Sequence, residues 1–151
     1  MGGVFSSIIV GTDGSDTAAE AVRHAIGLAL ELGSSLTIVS AYEPAPDQRF
    51  GGEETQVPRD MQWTLGPRSD VLELLEQAKA EAATAGVHEV ETFARQGDAA
   101  DAILDVAEEQ GAKLIVIGNK GMTGAKRFLL GSVPNKVSHH APCSVLIVRT
   151  T

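Results

Sequence analysis

Lys113-Leu-Ile-Val-Ile-Gly118 is followed by Gly121 and, after nine further residues, by Gly131-Ser132. The apolar run before Gly118 is typical of a strand that is buried on both faces of a parallel sheet. The residues after Gly131 predict a helix, with Ser132 as its N-cap and a proline in its first turn. Glycines allow the backbone to approach a ligand closely, and the free amides of a helix start favour an anion. This spacing therefore predicts a phosphate-binding loop and a nucleotide site.

The remainder of the chain alternates between strand patterns and helix patterns. Thr17 and Glu20 have the spacing of a capping box for the first helix, and Leu72 is predicted on the inner face of the second. Residues 43–68 hold four of the six prolines and no clear period, which predicts an irregular connection within a single domain of residues 1–151. The predicted strands are Val4–Gly11, Ser35–Tyr42, Glu89–Arg95, Lys113–Gly118 and Ser144–Arg149, and the predicted helices are Asp16–Leu32, Ser69–Ala85, Asp98–Gln110 and Ser132–His140.

This alternation predicts the α/β class, with a doubly wound, five-stranded parallel sheet covered by helices on both faces. In such sheets, ligands bind beyond the carboxyl ends of the strands, at the point where the strand order reverses. With the order 3-2-1-4-5, that point lies between the first and fourth strands. These strands end in Gly11-Thr12-Asp13 and in Gly118, so the two segments should face each other across a crevice.

The composition is that of a soluble globular chain, with 43% hydrophobic and 21% charged residues among 151. No apolar stretch approaches the roughly 20 residues that a membrane span needs, so we expect no membrane association. The N-terminal residues lack the basic and apolar regions of a secretory signal. Cys143 is the only cysteine, which excludes an intrachain disulfide and fits a reducing environment. We therefore expect a cytoplasmic protein.

The net charge of −8 argues against nucleic-acid binding, which needs a basic face. The charges are unevenly distributed, because every acidic residue lies at or before Glu109. Residues 110–151 contain six basic residues, and four of them, Lys120, Lys126, Arg127 and Lys136, lie in or just after the glycine loop. A cationic patch at a glycine loop suits a small anionic ligand.

Three segments together carry a resemblance to a known family. They are Gly-Thr-Asp-Gly-Ser at 11–15, Gly-x2-Gly-x9-Gly-Ser at 118–132 and Ala-Pro-Cys-Ser-Val-Leu-Ile-Val-Arg at 141–149. The chain resembles the nucleotide-binding universal stress proteins over nearly its whole length. The resemblance implies a Rossmann-like fold of the HUP type, a bound adenine nucleotide (usually ATP), and a homodimer paired through the last strand, Ser144–Arg149. An exposed apolar edge strand is also prone to association on physical grounds.

The resemblance also implies roles for individual residues. Thr12 and Asp13 would meet the adenosine, and the backbone of Ala41 would contact the base. The glycine amides, with Ser132 and Val133, would surround the phosphates. Lys120, Lys126 and Arg127 are candidates to reach the terminal phosphates, and their spacing does not select among them. The complete predicted nucleotide-binding set is Gly11, Thr12, Asp13, Ala41, Ile117, Gly118, Lys120, Gly121, Gly131, Ser132 and Val133.

Two alternatives remain open at individual positions. Asp13 could instead favour the start of the first helix through the helix dipole. Ser132 could serve only as an N-cap, although capping and ligand contact are compatible. Cys143 is better interpreted as a small buried apolar residue than as a reactive thiol.

Motifs for efficient catalysis are absent from the sequence. There is no P-loop, no Gly-x-Gly-x-x-Gly after the first strand and no Gly-x-Ser-x-Gly elbow. No carboxylate follows Glu109, so the glycine loop has no obvious general base and we predict no catalytic residue. Asp13 is the one acid expected at the crevice, where it could orient a water on Mg²⁺. The protein alone offers no metal site, and any Mg²⁺ would be bridged by the phosphates.

Three functions are compatible with this sequence. The first is a dimeric, nucleotide-dependent regulator of the stress response that binds ATP or a smaller adenine ligand such as AMP or cyclic AMP. The second is a weak ATPase or a phosphoryl or nucleotidyl transferase that uses the same pocket. The third is a dimeric interaction scaffold that does not bind nucleotide. The glycine spacing favours the first, and the sequence does not indicate the downstream protein partner.

Overall fold

A computed structural model describes residues 3–42, 68–119 and 132–150. Strands and helices alternate through these ranges, and every helix in them is too short or too polar to cross a bilayer. Most of the connection predicted at 43–68 lies outside the described residues, although Arg68 already belongs to the second helix. The elements are β1 (Ser7–Gly11), α1 (Asp16–Leu32), β2 (Ser35–Tyr42), α2 (Arg68–Ala85), β3 (Val90–Gln96), α3 (Ala99–Gln110), β4 (Leu114–Gly118), α4 (Ser132–His140) and β5 (Ser144–Val148).

The five strands form one parallel sheet in the order β3-β2-β1-β4-β5. This confirms the predicted Rossmann-like architecture and strand order. The last paired residues of β1 and β2 are Gly11 and Val39, and those of β4 and β5 are Gly118 and Val148. The carboxyl ends of the strands therefore lie along one edge of the sheet, where the predicted ligand residues Gly11 and Gly118 also lie.

Helices cover the sheet on both faces. Along β1, Ile8 and Val10 pack against α1 and α2, whereas Ile9 packs against α3 and α4. This alternation follows from the two-residue period of a strand, and it requires the central strands to be apolar on both sides. All three of these residues are fully buried. The short, continuous apolar runs of the sequence thus correspond to the central strands.

The first helix is capped by a residue other than the one predicted. Ser15 is the N-cap, and its Oγ accepts a hydrogen bond from the Ala18 amide at 3.2 Å. The capping box expected at Thr17 is therefore wrong, because Thr17 already lies inside the helix. The predicted stop at Gly33 is confirmed, since Gly33 adopts a left-handed conformation with φ of 67° and donates to Ala29 O.

Other boundaries shift by one to three residues. β1 begins at Ser7 rather than at Val4, which is 81% exposed. Asp98 caps α3 instead of beginning it, and Ser132 is the first helical residue of α4 rather than its N-cap. Leu72 is 40% exposed, so its predicted inward orientation is wrong. Leu75, three residues later, lies on the inner face of α2.

The capping assignment predicts a difference between two neighbouring substitutions. We expect Ser15→Ala to lower the free energy of unfolding by about 1 kcal/mol, because the Ala18 amide loses its acceptor. Thr17→Ala should change it by only a few tenths of a kcal/mol, since alanine is the better helix former. Urea unfolding of both variants followed by circular dichroism measures the difference. A larger loss for Thr17→Ala would contradict the assignment.

Candidate functional site

A crevice opens at the carboxyl edge of the sheet, between the ends of β1 and β4. Its empty volume, counting the open mouth, is about 590 Å³. Its walls are formed by β1 and the turn after it, α1, β2, α3, β4 and α4. The lining residues are Gly11, Thr12, Asp13, Thr17, Ala18, Val39, Ser40, Ala41, Ala99, Ile103, Ile117, Gly118, Val133 and Pro134.

The turn that leaves β1 is held by its own side chains. Thr12 Oγ1 accepts a hydrogen bond from the Gly14 amide at 3.2 Å, and Asp13 Oδ1 accepts one from the Ser15 amide at 2.9 Å. Asp13 therefore fixes the turn before α1, and Ser15 caps that helix. A carboxylate has about four acceptor positions, so this bond leaves capacity for a ligand hydroxyl. The two interpretations of Asp13, structural and ligand-binding, are compatible.

Gly11 allows α3 to approach the end of β1 closely. A Cβ atom at Gly11 would lie 2.5 Å from Ile103 Cδ1, well inside van der Waals contact. Ile103 lines the crevice and is itself buried. Any larger residue at position 11 would have to displace the Ile103 side chain. The glycine at the end of β1 thus permits the packing of Ile103 at the crevice.

Ala41 presents its main-chain N–H and C=O to the crevice rather than to a neighbouring strand. The pairing of β1 with β2 ends at Gly11 and Val39, with one further bond from the Thr12 amide to Val39 O at 2.9 Å. Because backbone groups of a strand point to alternate sides, Ala41 directs its N–H and C=O to the same side as Val39. β1 no longer runs beside β2 at that point. A donor and an acceptor therefore face the crevice side by side.

Ser40 carries a buried hydroxyl that has no hydrogen-bond partner among the described residues. The residue is 2% exposed, and no group in residues 3–42, 68–119 and 132–150 bonds its Oγ. It lines the crevice next to Ala41, on the neighbouring residue of β2. A buried hydroxyl that has lost its water contacts and gained no partner destabilises the fold. This group therefore raises the free energy of the ligand-free protein.

The start of α4 provides the most favourable position for an anion. The first turns of α1, α2 and α3 contain Asp16, Asp70 and Asp101, respectively, whereas that of α4 contains no acidic residue. Acidic side chains in a first turn interact favourably with the positive end of the helix dipole. The dipole of α4 is not offset in this way by its own first turn. Val133 at this end lines the crevice.

Lys136 is paired with acidic residues of α3. Its Nζ lies 2.8 Å from Asp101 Oδ1 and 3.4 Å from Asp98 Oδ2. The hydrogen bond to Asp101 raises the pKa of Lys136, and the nearby charge of Asp98 acts in the same direction. One of the four cations that the sequence groups with the glycine loop is therefore neutralised by the protein. These ion pairs also join α3 to α4, the two helices that form one wall of the crevice.

The structure brings together most of the predicted site residues that it describes. Ser132 is exposed at the start of α4 and does not line the crevice. The residues predicted in the loop, Lys120, Gly121, Lys126, Arg127 and Gly131, lie outside the described ranges. The predicted residues that line the crevice are Gly11, Thr12, Asp13, Ala41, Ile117, Gly118 and Val133.

Sequence reasoning missed several lining residues. Ala99 and Ile103 enter because the amino end of α3 lies at the same edge as the carboxyl ends of the strands. The position of α3 directly after β3 could have indicated this, because every strand-to-helix connection falls at that edge. No comparable signal marks Ser40, whose environment depends on packing between distant segments. The other residues not predicted are Thr17, Ala18, Val39 and Pro134.

The chemistry available in the crevice is limited. Asp13 is the only carboxylate among the described lining residues, and no histidine or cysteine lines this part of the crevice. The described residues also contain no cluster of three or more side chains that could hold a metal ion. Burial raises the pKa of the Cys143 thiol, which disfavours its reactive thiolate form. The geometry suits binding of a ligand more than covalent chemistry.

Comparison with known proteins gives a consistent result. The pattern of the universal stress protein family matches residues 5–149. Universal stress protein Rv1636 of Mycobacterium tuberculosis strain H37Rv is 37% identical over 147 residues, which are 97% of this chain and 98% of that protein. Universal stress protein YxiE of Bacillus subtilis strain 168 is 35% identical and is matched over its full length, with 97% of this chain covered.

A solved structure extends the comparison to three dimensions. The crystal structure of a universal stress protein in complex with cAMP is 31% identical to this chain. It superposes with a TM-score of 0.72, and the match covers 97% of this chain and 98% of the other. At this level of similarity, the two chains share the same fold.

The unpartnered hydroxyl predicts an unusual gain in stability. We expect Ser40→Ala to raise the free energy of unfolding of the ligand-free protein by about 1 kcal/mol, because a buried unpaired group is removed. The matched control is Ser34→Ala, where the buried hydroxyl donates to Phe5 O and stability should fall. Chemical unfolding without ligand tests both. A loss of stability in Ser40→Ala would mean that the hydroxyl has a partner.

Proposed function

The chain belongs to the universal stress protein family, and from this premise we propose that it is a cytoplasmic, dimeric regulator that binds an adenine nucleotide, with ATP as the principal ligand. The observation that carries the proposal is the crevice itself. Residues far apart in the sequence (Thr12, Ala41, Gly118 and Val133) line one crevice. A complex of a related universal stress protein with cAMP supports an adenine ligand.

The main-chain N–H and C=O of Ala41 favour adenine over guanine. The N–H can donate to the ring nitrogen N1 of adenine, and the C=O can accept from the exocyclic amino group. Guanine carries an N–H and a carbonyl at the corresponding positions, so both contacts would pair like groups. The apolar side chains of Val39 and Ile117 line the crevice and can pack on the faces of a purine. We assign this part of the crevice to the base.

The ribose and phosphates would lie towards Asp13 and α4. The Asp13 carboxylate can accept from a ribose hydroxyl while it holds the turn after β1. The phosphates would lie at Gly118 and at the amides of Ser132 and Val133, where the helix dipole is favourable. We further propose that the amides of Gly121 and Gly131 complete this cradle. Lys120, Lys126 and Arg127 are the proposed charged contacts to the terminal phosphates.

Binding, rather than rapid turnover, is the activity that this crevice supports. Mg²⁺ usually binds through one or two carboxylates together with phosphate oxygens, and Asp13 is the only described lining carboxylate that could take part. That side chain already accepts a bond from Ser15. In a regulator, the nucleotide acts by favouring one state of the protein, so a downstream partner must bind the two ligation states with different affinity.

The proposed dimer forms along the outer edge of β5. This strand is the last of the sheet, and its outer edge is not covered by any described strand. Leu146 lies at the middle of β5 and is 37% exposed, which is high for a leucine in a strand. An exposed apolar edge strand is prone to pair with another chain. A second copy of this chain can cover it through the same surface on both sides.

Nucleotide selectivity tests the assignment of the crevice. Calorimetry should detect binding of ATP and weaker binding of AMP and cAMP, because AMP and cAMP have fewer phosphate groups that can contact the loop. GTP should bind about a hundredfold more weakly than ATP, because two polar groups would be left unpaired against Ala41. Equal binding of ATP and GTP would contradict the role of Ala41. Steady release of phosphate from ATP would favour the alternative of a weak ATPase.

A charged substitution at the outer edge tests the dimer. Leu146→Arg should raise the dimer dissociation constant by about tenfold or more, because it places like charges opposite each other in a symmetric interface. Leu72→Arg is the matched control, since Leu72 is similarly exposed but lies on α2. Sedimentation equilibrium at micromolar concentration measures both. If the wild-type chain sediments as a monomer, or Leu72→Arg disrupts the dimer equally, the proposed interface is wrong.

A further inference from the structure

Asn119 joins the carboxyl end of β4 to the residues at the end of β5. Its main-chain N–H donates to Val148 O at 2.8 Å. Its side-chain Oδ1 accepts two hydrogen bonds from Thr150, one from the amide and one from the hydroxyl, both at 2.9 Å. All of these groups are at least partly buried. Three hydrogen bonds thus converge on the single residue that follows Gly118.

The side chain of Asn119 continues the sheet after regular pairing has stopped. Gly118 and Val148 form the last pair of the β4–β5 ladder. Beyond them, the carboxamide oxygen of Asn119 takes the place of a main-chain carbonyl and binds the Thr150 amide. An asparagine side chain can do this because its carbonyl oxygen has two lone pairs, as a peptide carbonyl has. The ends of the two strands are therefore fixed relative to each other by this residue.

The position of Asn119 connects two different surfaces. Gly118, its neighbour, lines the crevice. Val148 is the last residue of β5, the edge strand that also contains the exposed Leu146, and Thr150 follows two residues later. Neither Asn119 nor Thr150 lines the crevice. Asn119 therefore links the edge of the crevice to the end of the outer strand through its own hydrogen bonds.

We infer that Asn119 is a positioning residue through which nucleotide contact at Gly118 and ordering of the β5 end strengthen each other. The inference rests on the proposed function, because it requires a nucleotide in the crevice. A ligand that fixes the backbone at Gly118 also fixes Asn119, and with it the acceptor that holds Thr150. Conversely, a second chain that orders β5 holds Asn119 and prepares Gly118 for the ligand. Such coupling is reciprocal by thermodynamic necessity.

The size of the effect follows from the number of bonds involved. Loss of one hydrogen bond typically weakens an equilibrium by about fivefold at 25 °C. Asn119→Ala removes the acceptor of two bonds, so we expect ATP to bind about fivefold to tenfold more weakly. Thr150→Val removes the hydroxyl but keeps the amide donor, and should weaken ATP binding by about twofold to threefold.

The experiment compares these variants with a matched control on β3, the opposite edge strand. Thr92→Val makes the same change as Thr150→Val away from the crevice and should bind ATP as the wild type does. ATP affinity is measured by calorimetry, and exchange of the Thr150 amide hydrogen is followed with and without ATP. In the wild type, ATP should slow this exchange, because the Thr150 amide donates to Asn119. In Asn119→Ala, the ATP-dependent slowing should disappear.

The outcomes separate the inference from the function on which it rests. A wild-type chain that binds none of ATP, AMP and cAMP overturns the proposed function itself. Wild-type binding with unchanged ATP affinity in both Asn119→Ala and Thr150→Val overturns only the role of Asn119. Exchange at Thr150 that is equally fast with and without ATP in the wild type also overturns it. If Asn119→Ala does not fold, Thr150→Val alone decides between these results.

Discussion

The rest of the structure depends on the point at which the strand order reverses. There the chain leaves two neighbouring strands, β1 and β4, towards opposite faces of the sheet. β1 is central, and after Gly11 the chain passes into α1 on one face. β4 lies beside β1, and α4, which follows it in the sequence, packs on the opposite face. Right-handed connections between parallel strands require this divergence once the order reverses. The two segments separate after Gly11 and Gly118, so the crevice is a consequence of the topology.

The local field at the crevice differs from the net charge of the chain. The net charge of −8 would by itself disfavour the binding of an anionic ligand. Yet the helix dipoles of α1 and α3 are offset by acids in their own first turns, whereas α4 has none there. Lys136 cannot supply a free charge, because Asp98 and Asp101 hold it. Among the described groups, the amides at the start of α4 are therefore a better basis for anion binding than Lys136.

Strand order and helix positions were predictable because periodic apolar patterns and the glycine spacing act over many residues at once. Individual contacts could not be predicted in this way. Thr17 and Ser15 both suit an N-cap, and only the extended backbone of Ser15 distinguishes them. Val71 is buried and Leu72, the next residue, is exposed, because successive side chains point in different directions around a helix. At the site, the glycines and Asp13 had a sequence signal, whereas the exposure of the Ala41 peptide depends on where β1 ends.

Polar groups that the described residues leave unpaired lie where a ligand would enter. The Ser40 hydroxyl has no partner among these residues, and the main-chain N–H and C=O of Ala41 extend past the strand that would have paired with them. Elsewhere along the described sheet, the strand ends are completed by neighbours, as Asn119 does for Thr150 and Tyr42 O does for the Gly97 amide. Buried polar groups without partners destabilise a protein, so a sheet selected only for stability would pair them too. Their retention at one edge follows if a bound purine nucleotide completes the hydrogen bonding there.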